Sequence, residues 1–347
     1  MKSTFNQINI LYLIKTMDVG GAERFTLNLC NYFSDRVKNI TVYSSGGIFT
    51  EELKKINVRH IISGIAGSKN LPGLRAEIKG IICEGNFDII HAQHRIYLPV
   101  LKSMNTGKAI IIYTANNFFN DFYQKLIFPD KAVAISPSIE KNLLNTLLIN
   151  SGKISRINYG VEIKESFKPL RENISLGYMG RLIKEKGIYQ LVNAVRGINS
   201  NRIRLIICGD GPERNGLLKI IGNGEKDCKI ELLPPTLDID HVYNLFDALV
   251  LPTALNEGLP ISILEALARK ILVISTAQGA LSDVISDNVT GLLLEDNSEK
   301  SIINKISYLL ENPPAINLMR ENGYQKVKSE FSIDAMLDGY ERLYVEG

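Results

Sequence analysis

Short apolar runs alternate with segments of helical periodicity along the whole chain. In the first half, the apolar run at residues 8–14 leads to a glycine pair, and residues 22–33 then place Phe25, Leu29 and Phe33 on one helical face. A compact apolar run bounded by turn residues is typical of a buried strand. Further strands are predicted at residues 40–43, 88–91, 110–114 and 132–135. Strands separated by helices indicate parallel sheets with crossover helices.

The second half repeats this pattern. Strands are predicted at residues 174–179, 204–208, 247–251, 271–275 and 292–294, and helices at 186–195, after Pro212 and at 260–268. A polar stretch at 158–173 separates the halves, which places a domain boundary near residue 165. The prediction is an α/β chain of two doubly wound units, residues 1–165 and 166–331. A helical region at 301–344 is interrupted at Pro313, and a last segment begins at Phe331.

Size and composition narrow the class of protein. With 347 residues the chain exceeds the usual size of one hydrophobic core, which favours two domains. The net charge of +3 is too small to indicate nucleic acid binding. It is compatible with an anionic small ligand or with loose attachment to an acidic membrane surface. The four cysteines form no C-x-x-C pair, so neither a zinc site nor a disulfide framework is expected, and a reducing cytosol fits.

The N-terminal residues suit a strand better than a signal peptide, because their apolar core is short and interrupted by Asn9. No apolar run approaches the roughly 18 residues that a membrane helix needs. The expected location is therefore cytoplasmic, with peripheral membrane attachment left open.

The strongest motif is PTALNEGLPISILEALA at residues 252–268, which holds Glu257 in a loop and Glu265 in a helix. Pro260 is expected at the first helical position, where a missing N–H does no harm. The free amides of a helix start suit a phosphate, and Gly258 lets a ligand approach the backbone. The two carboxylates can accept hydrogen bonds from hydroxyls of a sugar and a ribose. Two solvated glutamates remain the alternative.

A second motif, GYMGRLIKEKG at residues 177–187, places Arg181 and Lys186 after a strand. Two cations at the carboxyl end of a strand can neutralise a diphosphate. The alternative is a solvated basic helix start, which is weakened because cations oppose the dipole at a helix N-terminus.

Three further segments carry weaker signals. MDVGGAERF at 17–25 holds Gly20 and Gly21 in a turn that lacks the G-x-G-x-x-G pattern, which disfavours a nicotinamide or flavin site. DIIHAQHRIY at 88–97 carries His91 and His94 near a strand end, although a lone histidine is more often structural. The triplet Asp238-Ile239-Asp240 resembles a metal motif but is interpreted as a helix N-cap followed by an acidic residue in the first turn.

Together these residues resemble the retaining glycosyltransferases of the GT-B fold, in the large group often called family 4. The motifs are GGAER at 20–24, GYMGR-x4-KG at 177–187, GDGPER at 209–214 and the E-x7-E of Glu257 and Glu265. They occur in the family's order over nearly the whole chain. The resemblance implies two Rossmann-like domains that face each other across a cleft, with the last helix, about 332–347, packed back on the N-terminal domain.

The resemblance also implies site residues. Arg181 and Lys186 would hold the diphosphate of a nucleotide sugar, Glu265 its ribose, and Glu257 would lie near the transferred sugar. The other donor-binding positions would be Gly20, Gly21, Gly258 and Leu259. No metal or other cofactor is expected, and the acceptor would be a saccharide or a lipid-linked glycan, as in bacterial lipopolysaccharide, capsule or exopolysaccharide synthesis.

The chain departs from the family where relatives often carry a histidine in an H-x-H. Gln93 occupies that place and His94 follows it, so both are candidates for the catalytic polar contact with the sugar. Asn116 also stands where relatives often have histidine. A nucleotide-sugar epimerase or hydrolase of the same fold is one alternative, and an inactive sugar-binding homologue is another. Product analysis with and without an acceptor distinguishes them.

Overall fold

The computed structural model describes residues 5–120, 128–165, 169–198, 200–222 and 229–346. The chain divides into two compact units. The first runs up to Asn158 and takes up the chain again from Met336, and the second comprises Tyr159–Ala335.

The first unit contains a parallel sheet whose described strands have the order β3-β2-β1-β4-β5-β6-β7. Its strands are β1 (Asn9–Leu13), β2 (Asn39–Ser44), β3 (Arg59–Ile62), β4 (Ile89–Ala92), β5 (Ile110–Ala115), β6 (Lys131–Ala134) and β7 (Ile154–Arg156). Strands β1 and β4 are neighbours, with Leu13 opposite Ala92. Strands β2 and β3 lie on one side of β1, and β4 to β7 lie on the other, so the direction in which strands are added reverses between β1 and β4. In such sheets ligands bind outside the carboxyl ends of the strands at this point.

The second unit has the same design, with the described strand order β10-β9-β8-β11-β12-β13. Its strands are β8 (Ile174–Met179), β9 (Ile203–Cys208), β10 (Lys229–Leu233), β11 (Ala248–Leu251), β12 (Leu272–Thr276) and β13 (Leu292–Leu294). All recorded pairings in it are parallel. The reversal lies between β8 and β11, so the carboxyl ends of these strands position the candidate site.

Helices join the strands in both units. Those assigned to the first unit are Gly21–Phe33, Thr50–Lys55, Leu71–Gly85, Tyr97–Lys102 and Pro137–Asn145. The helices that begin in the second unit are Ile188–Ile198, Arg214–Gly222, Ile239–Tyr243, Ile261–Leu267, Leu281–Val284, Glu299–Glu311, Pro313–Glu330 and Ile333–Glu346. Several begin with the expected chemistry: Ser136 accepts a hydrogen bond from the Ile139 amide, and Pro137 follows it.

The predicted strands are present, but β3, β7 and β10 were not predicted. All three lie at a sheet edge, are short, and carry charged residues such as Arg59, Arg156 and Glu231. A strand with one open side needs no continuous apolar run, so the signal that reveals buried strands is missing there.

Two predicted helix starts need correction. Lys186 does not begin a helix, because it ends a 3₁₀ turn, Lys184–Lys186, and the helix starts at Ile188. Pro260 is the N-cap of its helix rather than the first helical residue, since its ψ of 119° is extended.

The division between the units lies at Asn158, before the predicted boundary at residue 165. The Val161 amide donates to the Phe331 carbonyl, and Val161 forms a parallel bridge with Ser332. The Lys164 amide donates to the Ala268 carbonyl. These backbone bonds attach the predicted linker to the second unit. Residues 166–168, at the predicted boundary, lie outside the described residues.

From Met336 onward the last helix belongs to the first unit. Its Tyr340 and Tyr344 are buried and bind Thr114 and His91 of that unit's sheet. Among the described residues, no helix is both long enough and apolar enough to cross a membrane. Cys30, Cys83 and Cys208 are free thiols, and Cys228 lies outside the described residues.

Candidate active site

The loop after β8 carries the predicted diphosphate grip and is fixed to the loop after β11. Gly187 closes the 3₁₀ turn in a left-handed conformation, with φ of 72°. A Cβ atom there would lie 2.1 Å from the Pro252 carbonyl oxygen, so only glycine fits. The Ala254 amide donates to the Glu185 carbonyl at 2.8 Å. This close backbone contact fixes where Lys186 projects.

Lys186 and Glu257 form an ion pair within this contact. Lys186 Nζ lies 2.9 Å from Glu257 Oε2, and each side chain is 17% exposed. The buried hydroxyl of Thr253 donates to Glu257 Oε1 at 3.0 Å. Both carboxylate oxygens of Glu257 therefore have defined partners, and the pair is partly shielded from water while still reaching the surface.

The backbone of Glu257 is held from the other side by the loop after β12. Gly279 has φ of 62°, and a Cβ atom on it would lie 2.1 Å from the Glu257 carbonyl oxygen. The same carbonyl accepts the Ala280 amide at 3.0 Å. The Thr276 hydroxyl donates to the Thr253 carbonyl at 2.7 Å. The carboxyl ends of β8, β11 and β12 thus build one rigid site around Glu257.

Arg181 belongs to the same loop as Lys186 but has a different environment. The side chain is exposed, while its backbone carbonyl accepts the buried Tyr178 hydroxyl at 2.9 Å. Burial, and then the charge of Glu257, raises the pKa of Tyr178, so its phenol stays protonated and donates. The structure therefore fixes the backbone of Arg181 and leaves its guanidinium at the surface.

Gly258 and Leu259 follow Glu257 and are buried. Within the described part of the chain, their amide N–H groups have no hydrogen-bond acceptor. Buried amides are almost always paired, so two adjacent unpaired ones suit an anionic ligand. The helix Ile261–Leu267 that follows has only seven residues.

Glu265 lies on this short helix and is half-buried. Its Oε2 accepts a hydrogen bond from the buried Tyr243 hydroxyl at 2.7 Å. Burial, and then the charge of Glu265, raises the pKa of Tyr243 well above its usual value, which keeps this phenol a donor. Glu265 is therefore oriented by Tyr243, whereas Glu257 is oriented by Lys186 and Thr253.

In the first unit, Gly20 and Gly21 stand where the helix Gly21–Phe33 begins, directly after the β1 loop. A Cβ atom at Gly20 would lie 2.2 Å from Glu23 Oε2, the far end of a flexible side chain. Glu23 accepts a hydrogen bond from the Thr16 hydroxyl at 3.3 Å, and burial raises its pKa. The glycine pair thus lies at the carboxyl edge of the sheet, as the sequence predicts.

Gln93 directly follows β4 beside the β1 loop, because its amide donates to the Leu13 carbonyl at 2.9 Å. The side chain is 2% exposed, yet neither Gln93 Oε1 nor Nε2 has a hydrogen-bond partner among the described residues. A buried, unpaired carboxamide is unfavourable, and in a native structure it commonly marks a place where a ligand or water binds.

His94 differs from Gln93. Its Nδ1 accepts the Lys15 amide at 3.4 Å. Burial, and then the charge of Lys15, lowers the pKa of His94 to about 4, so its imidazole is neutral near pH 7. His94 therefore has a partner within the loop, whereas the neighbouring Gln93 side chain has none that the described residues supply.

His91 is a structural residue. It is fully buried, with Nδ1 2.6 Å from the Tyr344 hydroxyl and Nε2 2.7 Å from the Thr114 hydroxyl. Tyr12 binds Tyr344 at 3.2 Å, and Tyr340 binds Thr114 at 3.0 Å. Every polar atom of the ring is satisfied, so no capacity remains for a ligand.

The Asp238 interpretation is confirmed, since its side chain caps the helix Ile239–Tyr243 by accepting the His241 amide at 3.0 Å. Asp240 pairs with Arg269 and Lys164. In the described residues, no group of three or more histidine, cysteine, aspartate or glutamate side chains has an arrangement that could hold a metal ion.

The sequence does not reveal the buried residues that orient the charged residues of the site. Thr253, Tyr178 and Tyr243 are buried and each donates a side-chain hydrogen bond into the site region. A buried tyrosine or threonine in an apolar segment has the pattern of a core residue. No spacing rule predicts which acceptor its hydroxyl binds.

Two family models match the chain. The model for glycosyl transferases group 1 matches residues 161–326, and the model for glycosyltransferase family 4 matches residues 19–165. A curated relative is the capsular polysaccharide biosynthesis glycosyltransferase CapM of Staphylococcus aureus, with 26% identity over 61% of this chain and 60% of CapM. Another is the UDP-Gal:alpha-D-GlcNAc-diphosphoundecaprenol alpha-1,3-galactosyltransferase of Escherichia coli, with 23% identity over 100% of this chain and 99% of that protein.

A solved structure, HepE of Anabaena in complex with UDP-glucose, has the same architecture. Its TM-score with this chain is 0.81 at 17% identity, covering 97% of this chain and 99% of that one. The likeness in structure shows the fold, and the family models show the enzyme class. The chain is a glycosyltransferase with the two-domain GT-B fold.

Proposed function

We propose that this glycosyltransferase transfers a sugar, with retention and without a metal, from a nucleotide-diphosphate sugar to a saccharide or lipid-linked acceptor. The observation that carries the proposal is the pair of Lys186 and Glu257, held at the carboxyl edge of the second sheet by Thr253 and by two close glycine contacts. The site offers cations and a fixed carboxylate.

The leaving diphosphate gains negative charge as the sugar bond breaks. A lysine ammonium has three donors, so Lys186 can keep its bond to Glu257 and still bind phosphate oxygens. The amides of Gly258 and Leu259 and the surface guanidinium of Arg181 add further donors. Groups fixed in advance stabilise developing charge without reorganisation, which is the role a metal would otherwise take.

Glu257 is proposed to bind the transferred sugar and Glu265 the ribose hydroxyls. In the first unit, Gln93 is the preferred partner for a sugar hydroxyl, because its buried carboxamide has no partner in the described part of the chain while His94 has one. Gly20 and Gly21 are proposed to let the adjoining loop approach the ligand closely.

A role in bacterial surface glycan synthesis is supported by the names of CapM and of the galactosyltransferase that acts on a diphosphoundecaprenol-linked sugar. An acceptor with a lipid anchor favours work at the cytoplasmic face of a membrane, and the net charge of +3 is compatible with loose attachment to acidic lipids.

The donor is identified by a thermal-shift screen of UDP, GDP, ADP and CDP and of their common nucleotide sugars. Turnover is then measured with lipid-linked acceptors.

The product linkage is determined by NMR. An α-linked donor should give an α-linked product, and a β product would refute retention. Chelator should leave the rate unchanged, and loss of turnover that Mg²⁺ restores would refute the metal-free site. Sugar release that does not depend on an acceptor would favour a hydrolase.

A further inference from the structure

Tyr243 is a buried tyrosine whose hydroxyl reaches the edge of the second unit's site. It ends the helix Ile239–Tyr243 and is 1% exposed. Its hydroxyl lies 2.7 Å from Glu265 Oε2 and 3.2 Å from the Ser262 carbonyl oxygen. A phenol has one proton to donate, and the carboxylate is both nearer and charged, so the bond goes to Glu265.

Arg269 packs over the ring of Tyr243. The guanidinium carbon lies 4.9 Å from the centroid of the Tyr243 ring, and Nη1 donates to the Glu265 backbone carbonyl at 2.9 Å. Nε donates to Asp240 Oδ1 at 2.9 Å, and the arginine is 8% exposed. One buried cation therefore contacts the tyrosine ring, the backbone of the helix that carries Glu265, and an acid on the preceding helix.

The bond between Arg269 and Asp240 persists over the working pH range. Burial of Asp240 acts to raise the pKa of its carboxyl group, but the hydrogen bonds and charges of Arg269 and Lys164 outweigh it, so the pKa is lowered. The carboxylate stays ionised and keeps Arg269 oriented. Asp238 caps the same helix, so both acids of the metal-like triplet serve the helix that presents Tyr243.

We propose that Tyr243 is a positioning residue that fixes the Glu265 carboxylate for the ribose hydroxyls of the donor nucleotide, with Arg269 and Asp240 holding Tyr243. This inference rests on the ribose role proposed for Glu265. A carboxylate has about four acceptor positions, so Glu265 can accept a bond from Tyr243 and bonds from ribose hydroxyls at the same time. A carboxylate that is oriented before binding loses less rotamer freedom when the nucleotide arrives, and its affinity for the two hydroxyls rises accordingly.

The experiment compares a ribonucleoside diphosphate with its 2′,3′-dideoxy form by calorimetry. The probe is the tightest binder among UDP, GDP, ADP and CDP. The wild type should prefer the ribose form by roughly tenfold or more, as expected for hydrogen bonds to a charged group. Tyr243→Phe should weaken binding of the ribose form about three- to tenfold and of the dideoxy form less than twofold. Tyr32→Phe is the matched control, because its hydroxyl donates to Glu341 in the first unit at 2.6 Å.

The outcomes separate the inference from the function it rests on. If no diphosphate binds the wild type, or if Glu265→Gln keeps the preference for ribose, the ribose role fails and the inference fails with it. If Glu265→Gln abolishes the preference while Tyr243→Phe retains it, only the inference is overturned. Equal weakening of both ligand forms in Tyr243→Phe shows a merely structural role and also overturns it.

Asp240→Asn tests the same chain of contacts without changing the tyrosine. It should reduce the ribose preference in the same direction as Tyr243→Phe but by a smaller factor, because Arg269 keeps its other contacts. If Tyr243→Phe does not fold, Asp240→Asn serves as the test of whether Tyr243 positions Glu265. A ribose preference equal to that of the wild type in folded Asp240→Asn would then overturn the inference.

Discussion

The His91 cluster in the first unit and the pair of Lys186 and Glu257 in the second are both built from ionisable side chains on a parallel sheet. His91 is fully buried, its two ring nitrogens are both hydrogen-bonded, and burial lowers its pKa to about 3. Lys186 and Glu257 are each 17% exposed and are joined by one contact between the ammonium and a carboxylate oxygen. The first arrangement is complete by itself, and the second has unused hydrogen-bonding capacity.

This difference separates stabilising groups from ligand-binding ones. A buried network with every member paired favours one packing of the last helix against the sheet. A charged pair on a rigid loop, still reached by solvent, gains little stability but is ready to meet an anion. Substitutions in the His91 cluster should therefore change folding, and substitutions at Lys186 and Glu257 should change turnover.

The largest effect is expected for Lys186→Ala. Losing one fixed charge-stabilising group should reduce the rate roughly a hundred- to a thousandfold. Calorimetry should show weaker binding of the diphosphate and unchanged binding of the nucleoside. The control is Lys184→Ala, an exposed lysine of the same 3₁₀ turn. If folded Lys186→Ala keeps wild-type turnover and diphosphate binding, the proposed diphosphate site is wrong.

Glu257→Gln should follow, with a smaller loss. The amide keeps the shape but loses the charge that pairs with Lys186, and hydrogen bonds to charged groups contribute about 1.5–3 kcal/mol, which corresponds to a rate loss of roughly ten- to a hundredfold. Initial rates should fall much more than affinity for the diphosphate. The exposed Glu185→Gln is the matched control. Equal losses in binding and turnover would instead place Glu257 on the nucleotide.

The buried strands, their parallel arrangement and the position of the candidate charged residues near strand ends could be predicted from the sequence, because long apolar runs and glycine-flanked charges leave a local signal. The Tyr344 bond to His91 joins positions 253 residues apart, and no local pattern reveals it. The same holds for Thr253, whose hydroxyl orients Glu257 from a segment that otherwise resembles a strand end. Local periodicity shows which residues are buried, and only tertiary packing determines which hydroxyl meets which acid.

The third prediction concerns pH and the His91 cluster. The unfolded histidine titrates near 6.5 and the folded one at about 3, so between these values the unfolded chain binds more protons. Stability from neutral His91 is fully present above pH 6.5 and is lost as the pH falls. From pH 7 to pH 5 this loss is about 2 kcal/mol.

Urea denaturation of the wild type and of His91→Gln measures this loss directly. The variant should lack that part of the pH slope, whereas exposed His241→Gln should keep it. Identical slopes for the wild type and His91→Gln would show that the buried imidazole is not held neutral, and the contrast between the two regions would lose its physical basis.

The smallest effect on stability, and the one that tests the comparison within a single unit, is expected for Gln93→Met. Gln93 lies two residues from His91 and is equally buried, but its carboxamide has no partner among the described residues. Replacing an unpaired buried amide by an apolar side chain of similar shape should raise the free energy of unfolding by about 1 kcal/mol. Turnover should fall nevertheless, because the group proposed to bind a sugar hydroxyl is gone. Gln190→Met is the matched control, since Gln190 Oε1 is also buried without a partner in the described ranges. Gln190 lies on the helix Ile188–Ile198 and is not among the residues proposed to bind a ligand. The Gln190→Met variant should gain stability and keep the turnover rate of the wild type.

The opposite outcome for Gln93→Met is a fold destabilised as by a His91 substitution, with turnover per folded molecule unchanged. Gln93 would then belong with the structural network, and the first unit would have lost its candidate ligand contact.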